Sequence, residues 1–456
     1  MTDSRSSALK YAHSHQGIFL EELSNLLTIA SISTSPDQKK EMQQAADWIA
    51  SKLLACRMEN VQVYPTGGHP VVFGENLSAG SGAQTVLIYG HYDVQPPEPI
   101  ELWESGPFEP EKRGDNLYAR GATDMKGQVM ASISAIEAII NTGELPVNIK
   151  FLIEGEEEIG SPNLAQFIDE NKDLLSCDFA LNPDTGLLSA DQPTITYALR
   201  GLAYFEILVY GPDHDLHSGI YGGVVHNPAQ ALCELIAGMH DEKGRITLPG
   251  YYDKVRLIDE DERAELSRLP MDEEFYLKQT GAPSIWGEEG YSPVERTGAR
   301  PTLDVNGILS GFTGEGSKTV LPAWAMAKIS MRLVPEQDPE EVYQQLQEYF
   351  VDNAPNTIRY EIKKLAGGPA TISDRYSNAV KGMEKAMETV WGKRPVFKRE
   401  GGSVPVVGLF QEILGIETVN CGFSLPDDNI HGPNEKLNLP TWYRGIDTFI
   451  NFLYNL

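Results

Sequence analysis

Five stretches of the chain set imidazole or carboxylate side chains after apolar runs or in glycine-marked loops. In TVLIYGHYDVQP (85–96) a β-type run ends at Gly90 and then presents His91 and Asp93. Two residues apart on an extended chain, they share a face. That suits a metal-ligating imidazole held by a carboxylate, and equally a turn with two polar residues. In LYARGATDMKG (117–127) Asp124 sits in a glycine-punctuated loop just before a helical pattern, where by itself a helix N-cap is the first reading and a ligand the second. In FLIEGEEEIGS (151–161) an apolar run leads straight into Glu154, Glu156, Glu157 and Glu158. Such a cluster is either a solvated acidic turn or a site, since like charges held this close need a cation or raised pKa values. Phe179–Leu181 is followed by Asp184, and Asp427-Asp428-Asn429-Ile430-His431 lies near the C-terminus.

Together these stretches offer His91, Asp124, Glu157, Glu158, Asp184 and His431, a nitrogen and oxygen set without sulfur. Such a set suits Zn²⁺, Mn²⁺ or Co²⁺. Two cations roughly 3.5–4 Å apart need a bridging carboxylate, terminal ligands and one free base, and their chemistry is hydrolysis.

The elements that must position these residues follow from periodicity. Helical spacing covers Ile18–Ile32, Gln38–Leu54 and Lys126–Ile140, and β-type runs cover Val61–Tyr64, Val71–Phe73, Val86–Tyr89, Ile149–Ile153 and Phe179–Leu181. This alternation predicts an α/β domain with helices on both faces of a sheet, and sites at the carboxyl ends of its strands. The rhythm breaks near Arg200 and resumes after Gly367-Gly368-Pro369. We therefore expect a catalytic domain over 1–198 and 371–456, interrupted by an inserted domain over 199–370. A length of 456 residues fits two cores better than one.

Composition narrows the partners. Net charge is −28, from 37 basic and 65 acidic residues, which repels a phosphate backbone and argues against nucleic acid. The run Asp259-Glu260-Asp261-Glu262 reads as a solvated loop. No apolar run is long enough to span a membrane, and Met1–Lys10 lacks the apolar segment of a signal peptide. Cys56, Cys177, Cys233 and Cys421 are isolated, so a reducing cytoplasm is expected.

The motifs GHYDVQP, LYARGATDMKG, EGEEEIGS, NPDTG and NIHGPNE resemble, in order and over nearly the whole chain, the signature of the co-catalytic di-zinc metallopeptidase family. That family includes aminoacylase, acetylornithine deacetylase, succinyl-diaminopimelate desuccinylase, glutamate carboxypeptidase and carnosinase. VQP after Asp93, ITYALRG (195–201), DLHSGIYGG (215–223) and NEKLN (434–438) are similar to the carnosinase and cytosolic non-specific dipeptidase branch. Met125 departs from it, because carnosinase-like members often carry a second Asp there and desuccinylase-like members carry Met.

The resemblance implies a zinc-peptidase-like catalytic domain on a mixed sheet, with an inserted α+β lid and dimerisation domain. It implies two divalent ions per subunit, Zn²⁺ first and Mn²⁺ or Co²⁺ as alternatives. His91 and Asp184 would hold one ion, Glu158 and His431 the other, and Asp124 would bridge. Asp93 would orient His91. Glu157, aligned on Gly160-Ser161 rather than Glu156, would be the general base for a two-metal-activated water. His217 of DLHSG would donate to the oxyanion across a homodimer interface, whereas His214 and His226 read as surface residues. Arg332 would clamp the substrate's carboxylate, with Thr319, Gly402 and Ser403 lining the pocket. The implied reaction is hydrolysis of dipeptides or very short peptides. Amidohydrolysis of N-acyl amino acids uses the same core, and an inactive binding homologue would lack a ligand or the base.

Overall fold

The computed structural model describes residues 4–402 and 404–456. The chain forms two compact units. The first runs to Tyr197 and resumes over Ser373–Phe397 and Pro405–Leu456. The second comprises Ala198–Ile372 and Lys398–Val404.

The first unit is built on a nine-stranded mixed sheet. At its centre Thr85–His91 lies parallel to Asn148–Glu154 on one side and to Phe179–Asn182 on the other. Thr418–Asn420 extends the parallel set, whereas Val71–Asn76 runs antiparallel to Asn148–Glu154. Asn148–Glu154 is buried along its whole length, the mark of a parallel strand covered on both faces. Its apolar run is therefore continuous rather than alternating. The helix Lys126–Thr142 packs on Thr85–His91 and is itself covered by Ser4–Leu27 and Leu439–Leu453. Ser4–Leu27 begins well before the apolar pattern at Ile18, because buried Ala8 and Ala12 continue the stripe of Phe19 and Leu23. Small residues carry that face, so hydrophobic periodicity alone does not reveal it.

The second unit carries a four-stranded antiparallel sheet in the order Thr302–Ser310, Trp324–Leu333, Gly201–Tyr210, Arg359–Gly368. Burial alternates along Gly201–Tyr210, so one face is covered and the other is partly open. The covering helices are Pro228–Gly238 and Pro339–Asn353. The acidic run is not a solvated loop. Asp259 caps the helix Glu260–Leu266 by accepting a hydrogen bond from the Glu262 N–H at 2.7 Å. Glu262 is buried and accepts from Arg399 Nε at 2.8 Å.

Candidate metal centre

Parallel strands deliver their carboxyl ends to one edge of the sheet, and there the candidate ligands gather. His91 closes Thr85–His91, in register with Glu154. Glu157 and Glu158 follow Asn148–Glu154 in a short 3-10 turn, and Asp184 follows Phe179–Asn182. Asp124 precedes the helix Lys126–Thr142, whose N-cap position is Met125, so the N-cap reading of Asp124 falls. The Asp124–Met125 peptide is cis.

Asp124 is shared. Its Oδ1 lies 3.2 Å from His91 Nε2, and its Oδ2 lies 3.0 Å from His431 Nε2. His91 Nε2 is also 3.9 Å from Asp184 Oδ2, and His431 Nε2 is 3.2 Å from Glu158 Oε2. Among the described residues the donor atoms sort into two groups, His91–Asp124–Asp184 and Asp124–Glu158–His431, each within 4.8 Å. A carboxylate with one oxygen toward each group is what a bridged pair of cations requires, and imidazole with carboxylate is a zinc or manganese donor set.

The electrostatics point the same way. Burial opposes the ionisation of Asp124, but hydrogen bonds from His431 and His91 outweigh it and hold its carboxyl well below the usual range. Asp124 and Glu158 push the His431 imidazole up to about 10. Burial disfavours a charged His91, yet Asp124 and Asp93 raise its pKa. Asp184 is raised by burial and by the neighbouring Asp124, Glu157 and Glu158. The carboxylates crowded around the two histidines demand positive charge, which bound cations would supply.

Glu156 and Glu157 separate cleanly. The buried Glu156 carboxylate accepts from Asn163 Nδ2 at 2.9 Å and from the His69 N–H at 2.9 Å, which ties down a neighbouring loop. Glu157 lies close enough to His91, Glu158 and Asp124 to feel their charge. Burial, partly offset by His91 and reinforced by Glu158, Asp124 and Asp93, lifts it to about 7. Its turn is anchored by Asp93, whose Oδ1 and Oδ2 accept from the N–H groups of Glu157 and Glu158 at 3.2 and 3.1 Å. His91 Nδ1 lies 3.0 Å from the backbone carbonyl of Asp93 and 3.5 Å from its carboxylate. Asp93 thus orients the turn as much as the imidazole.

In the second unit, taken by itself, His217 and Thr319 lie side by side. The pair Leu216–His217 and Val320–Leu321 forms a ribbon, and the Ser218 N–H donates to the Thr319 carbonyl at 3.1 Å. His217 Nδ1 accepts from the Gly219 N–H at 3.0 Å, which puts the ring proton of the neutral imidazole on Nε2. Arg332 stands on Trp324–Leu333, opposite Leu202 and Thr302. It lies close enough to Arg200 that burial and then Arg332 lower that guanidinium to about 10. A Cβ on Gly402 would meet none of the described residues within 4 Å, and Ser403 lies outside the described residues.

Four residues near these groups were not singled out by sequence reasoning. Gln95 Nε2 donates to Glu158 Oε2 at 2.8 Å, and Arg200 Nη1 is buried with no hydrogen-bond partner among the described residues. Asp428 and Glu435 are fully buried carboxylates flanking His431. Gln95, Arg200 and Glu435 lie inside branch motifs, and that was the only available signal. Nothing in a sequence tells a buried Asp428 from the exposed Asp427 beside it.

Comparison with known proteins supplies the lineage. The chain is 30% identical to the Cys-Gly metallodipeptidase of Candida albicans, over 96% of this chain and 94% of that protein. It is 32% identical to the human Beta-Ala-His dipeptidase, over 98% and 92% of the two chains. The crystal structure of an M20 family metallo-carboxypeptidase from Sulfolobus solfataricus superimposes with a TM-score of 0.82 at 34% identity, covering 95% of this chain and 98% of that one. The profile of peptidase family M20/M25/M40 matches residues 87–455, a span holding all the donor residues described above, and the chain belongs to that family.

Proposed function

We propose that this protein hydrolyses dipeptides with free termini, using two divalent cations held by His91, Asp124, Asp184, Glu158 and His431. The observation that carries the reading is the shared Asp124, with one oxygen toward each histidine and Glu157 beside it. When bound, the cations supply Lewis acidity toward water and toward the scissile carbonyl. Glu157 takes the proton of the attacking water and passes it to the departing amine. Asp93 fixes the turn that aims Glu157. His217, with its proton on Nε2, donates to the developing oxyanion. Arg332 engages the substrate's carboxylate as a planar fork, with Thr319, Gly402 and Ser403 lining the pocket. All five ligands and the base are present, which speaks against an inactive binding homologue.

Zn²⁺ is the native metal in this reading, with Mn²⁺ and Co²⁺ as substitutes. A homodimer through the second unit is supported by its edge strand, Thr302–Ser310, which leaves Val305, Ile308 and Leu309 exposed. The four cysteines are free, which suits a reducing cytoplasm, and no helix among the described residues is long and apolar enough to cross a membrane.

The test is a substrate panel on metal-free protein reloaded with each metal. It should include Cys-Gly, β-Ala-His, other dipeptides, their C-terminal amides, tripeptides and N-acetyl amino acids. Free dipeptides should be the best substrates. Turnover of N-acetyl amino acids at higher kcat/KM than any dipeptide would make the protein a deacylase instead.

A further inference from the structure

We infer that Glu435 is a positioning residue whose buried carboxylate locks the loop of the bridging Asp124 against the loop of His431, and so sets the spacing of the metal centre. The inference rests on reading Asp124 and His431 as ligands. Glu435 is 0% exposed and lies four residues after His431. Its Oε1 accepts from the N–H groups of Thr123 and Asp124 at 2.9 and 3.1 Å. Its Oε2 accepts from the Gly121 N–H at 2.9 Å and from Arg120 Nη1 at 2.7 Å. All these donors lie between residues 120 and 124, the segment that ends in Asp124. The Ala119 N–H adds a bond to the Glu435 backbone carbonyl at 3.1 Å.

The His431 loop needs such an anchor. Asn429, His431 and Asn434 have φ of 55°, 61° and 58°; asparagine tolerates this left-handed region, whereas a histidine held there carries a conformational cost that its surroundings must offset. Asp428 secures the start of the loop by accepting from the Leu425 N–H at 2.7 Å and from Thr123 Oγ1 at 3.1 Å. Glu435 secures its end. Both anchors reach the same 120–124 segment, so the Asp124 to His431 distance is fixed by side chains that bind no metal themselves. A carboxylate is required because both oxygens must accept, whereas an amide has a single acceptor oxygen and would turn its NH₂ toward two donors.

The test uses the full-length metal-free chain and Zn²⁺, read by chelator competition, with thermal unfolding measured in parallel. Glu435→Gln should weaken Zn²⁺ binding at the His431 half by at least about tenfold, and it should also lower Tm, since Arg120 is left buried without its counter-charge. Pairing it with Arg120→Met removes that stranded cation, so Tm should recover while the binding defect stays. Glu435→Asp keeps the charge but withdraws the carboxylate by one methylene, and it should also bind more weakly. If binding recovers together with Tm in the double variant, or if Glu435→Asp holds two Zn²⁺ at wild-type affinity, Glu435 is only a structural ion-pair partner and the inference falls. No peptide is hydrolysed in this assay, so failure of the dipeptidase reading leaves its outcome intact.

Discussion

Replacing Glu157 by Gln keeps the shape of the side chain and removes its basicity. Glu157 belongs to neither donor group, and its turn is held by Asp93 through backbone N–H bonds that the substitution leaves in place. Metal content should therefore stay at the wild-type level. A positioned general base contributes about 10²–10⁴-fold, which corresponds to roughly 3–5 kcal/mol of barrier. Among the charges of His91, Glu158 and Asp124 yet in neither donor group, Glu157 is the group placed to supply that factor. The assay is kcat on a dipeptide, with metals per subunit measured by mass spectrometry on the same sample. Glu156→Gln is the paired control. That carboxylate binds Asn163 and the His69 N–H, so its loss should cost stability, on the order of 1–3 kcal/mol, and leave kcat within a few-fold. A Glu157→Gln enzyme with full metal and kcat within about threefold of wild type would refute the assignment, since no general base loses so little.

Three further outcomes follow from the proposed function. Arg332→Lys should lower kcat/KM by about 1.5–3 kcal/mol, the range for a hydrogen bond to a charged group; C-terminal amidation should hurt the wild type and barely affect this variant, and equal sensitivity would count against a carboxylate clamp. His217→Ala and Glu157→Gln chains, each nearly inactive, should regain up to about half of wild-type activity when mixed, because one site of the heterodimer would receive an intact base and an intact donor; no recovery despite proven subunit exchange means that His217 does not act across subunits. Metal uptake should release protons, because His431 in the metal-free chain is raised to about 10 and is protonated at neutral pH. A cation must displace that proton, so affinity should rise with pH, by up to about tenfold per unit per proton, and a flat dependence between pH 6 and 8 would contradict the proton-filled site.

How much of this was legible beforehand depends on what each residue's neighbours are in sequence. His91, Asp184 and the Glu157–Glu158 pair stand directly after buried-type β runs, and a parallel sheet places such positions together. Asp124 was ambiguous because a loop aspartate before a helix is both a good cap and a good ligand; only the backbone, with Met125 at the cap, resolves it. Glu435 and Asp428 were invisible as anchors because the donors that tie them to the Asp124 segment, Gly121 and Thr123 among them, lie more than 300 residues away. The early start of Ser4–Leu27 was hidden by alanines that carry its buried face. The acidic run at 259–262 misled for a related reason: three of its residues are exposed and one is paired with a distant arginine.

The central claim is a two-cation centre bridged by Asp124, and calorimetric titration of the metal-free chain tests it most directly. Wild type should take up two Zn²⁺ per subunit, with dipeptide hydrolysis appearing as the second is bound. Asp124→Ala leaves two cations facing each other without their shared carboxylate, so it should lose high-affinity binding of both and activity with them. Two Zn²⁺ held at wild-type affinity by Asp124→Ala, or full wild-type activity at one equivalent, would contradict the account.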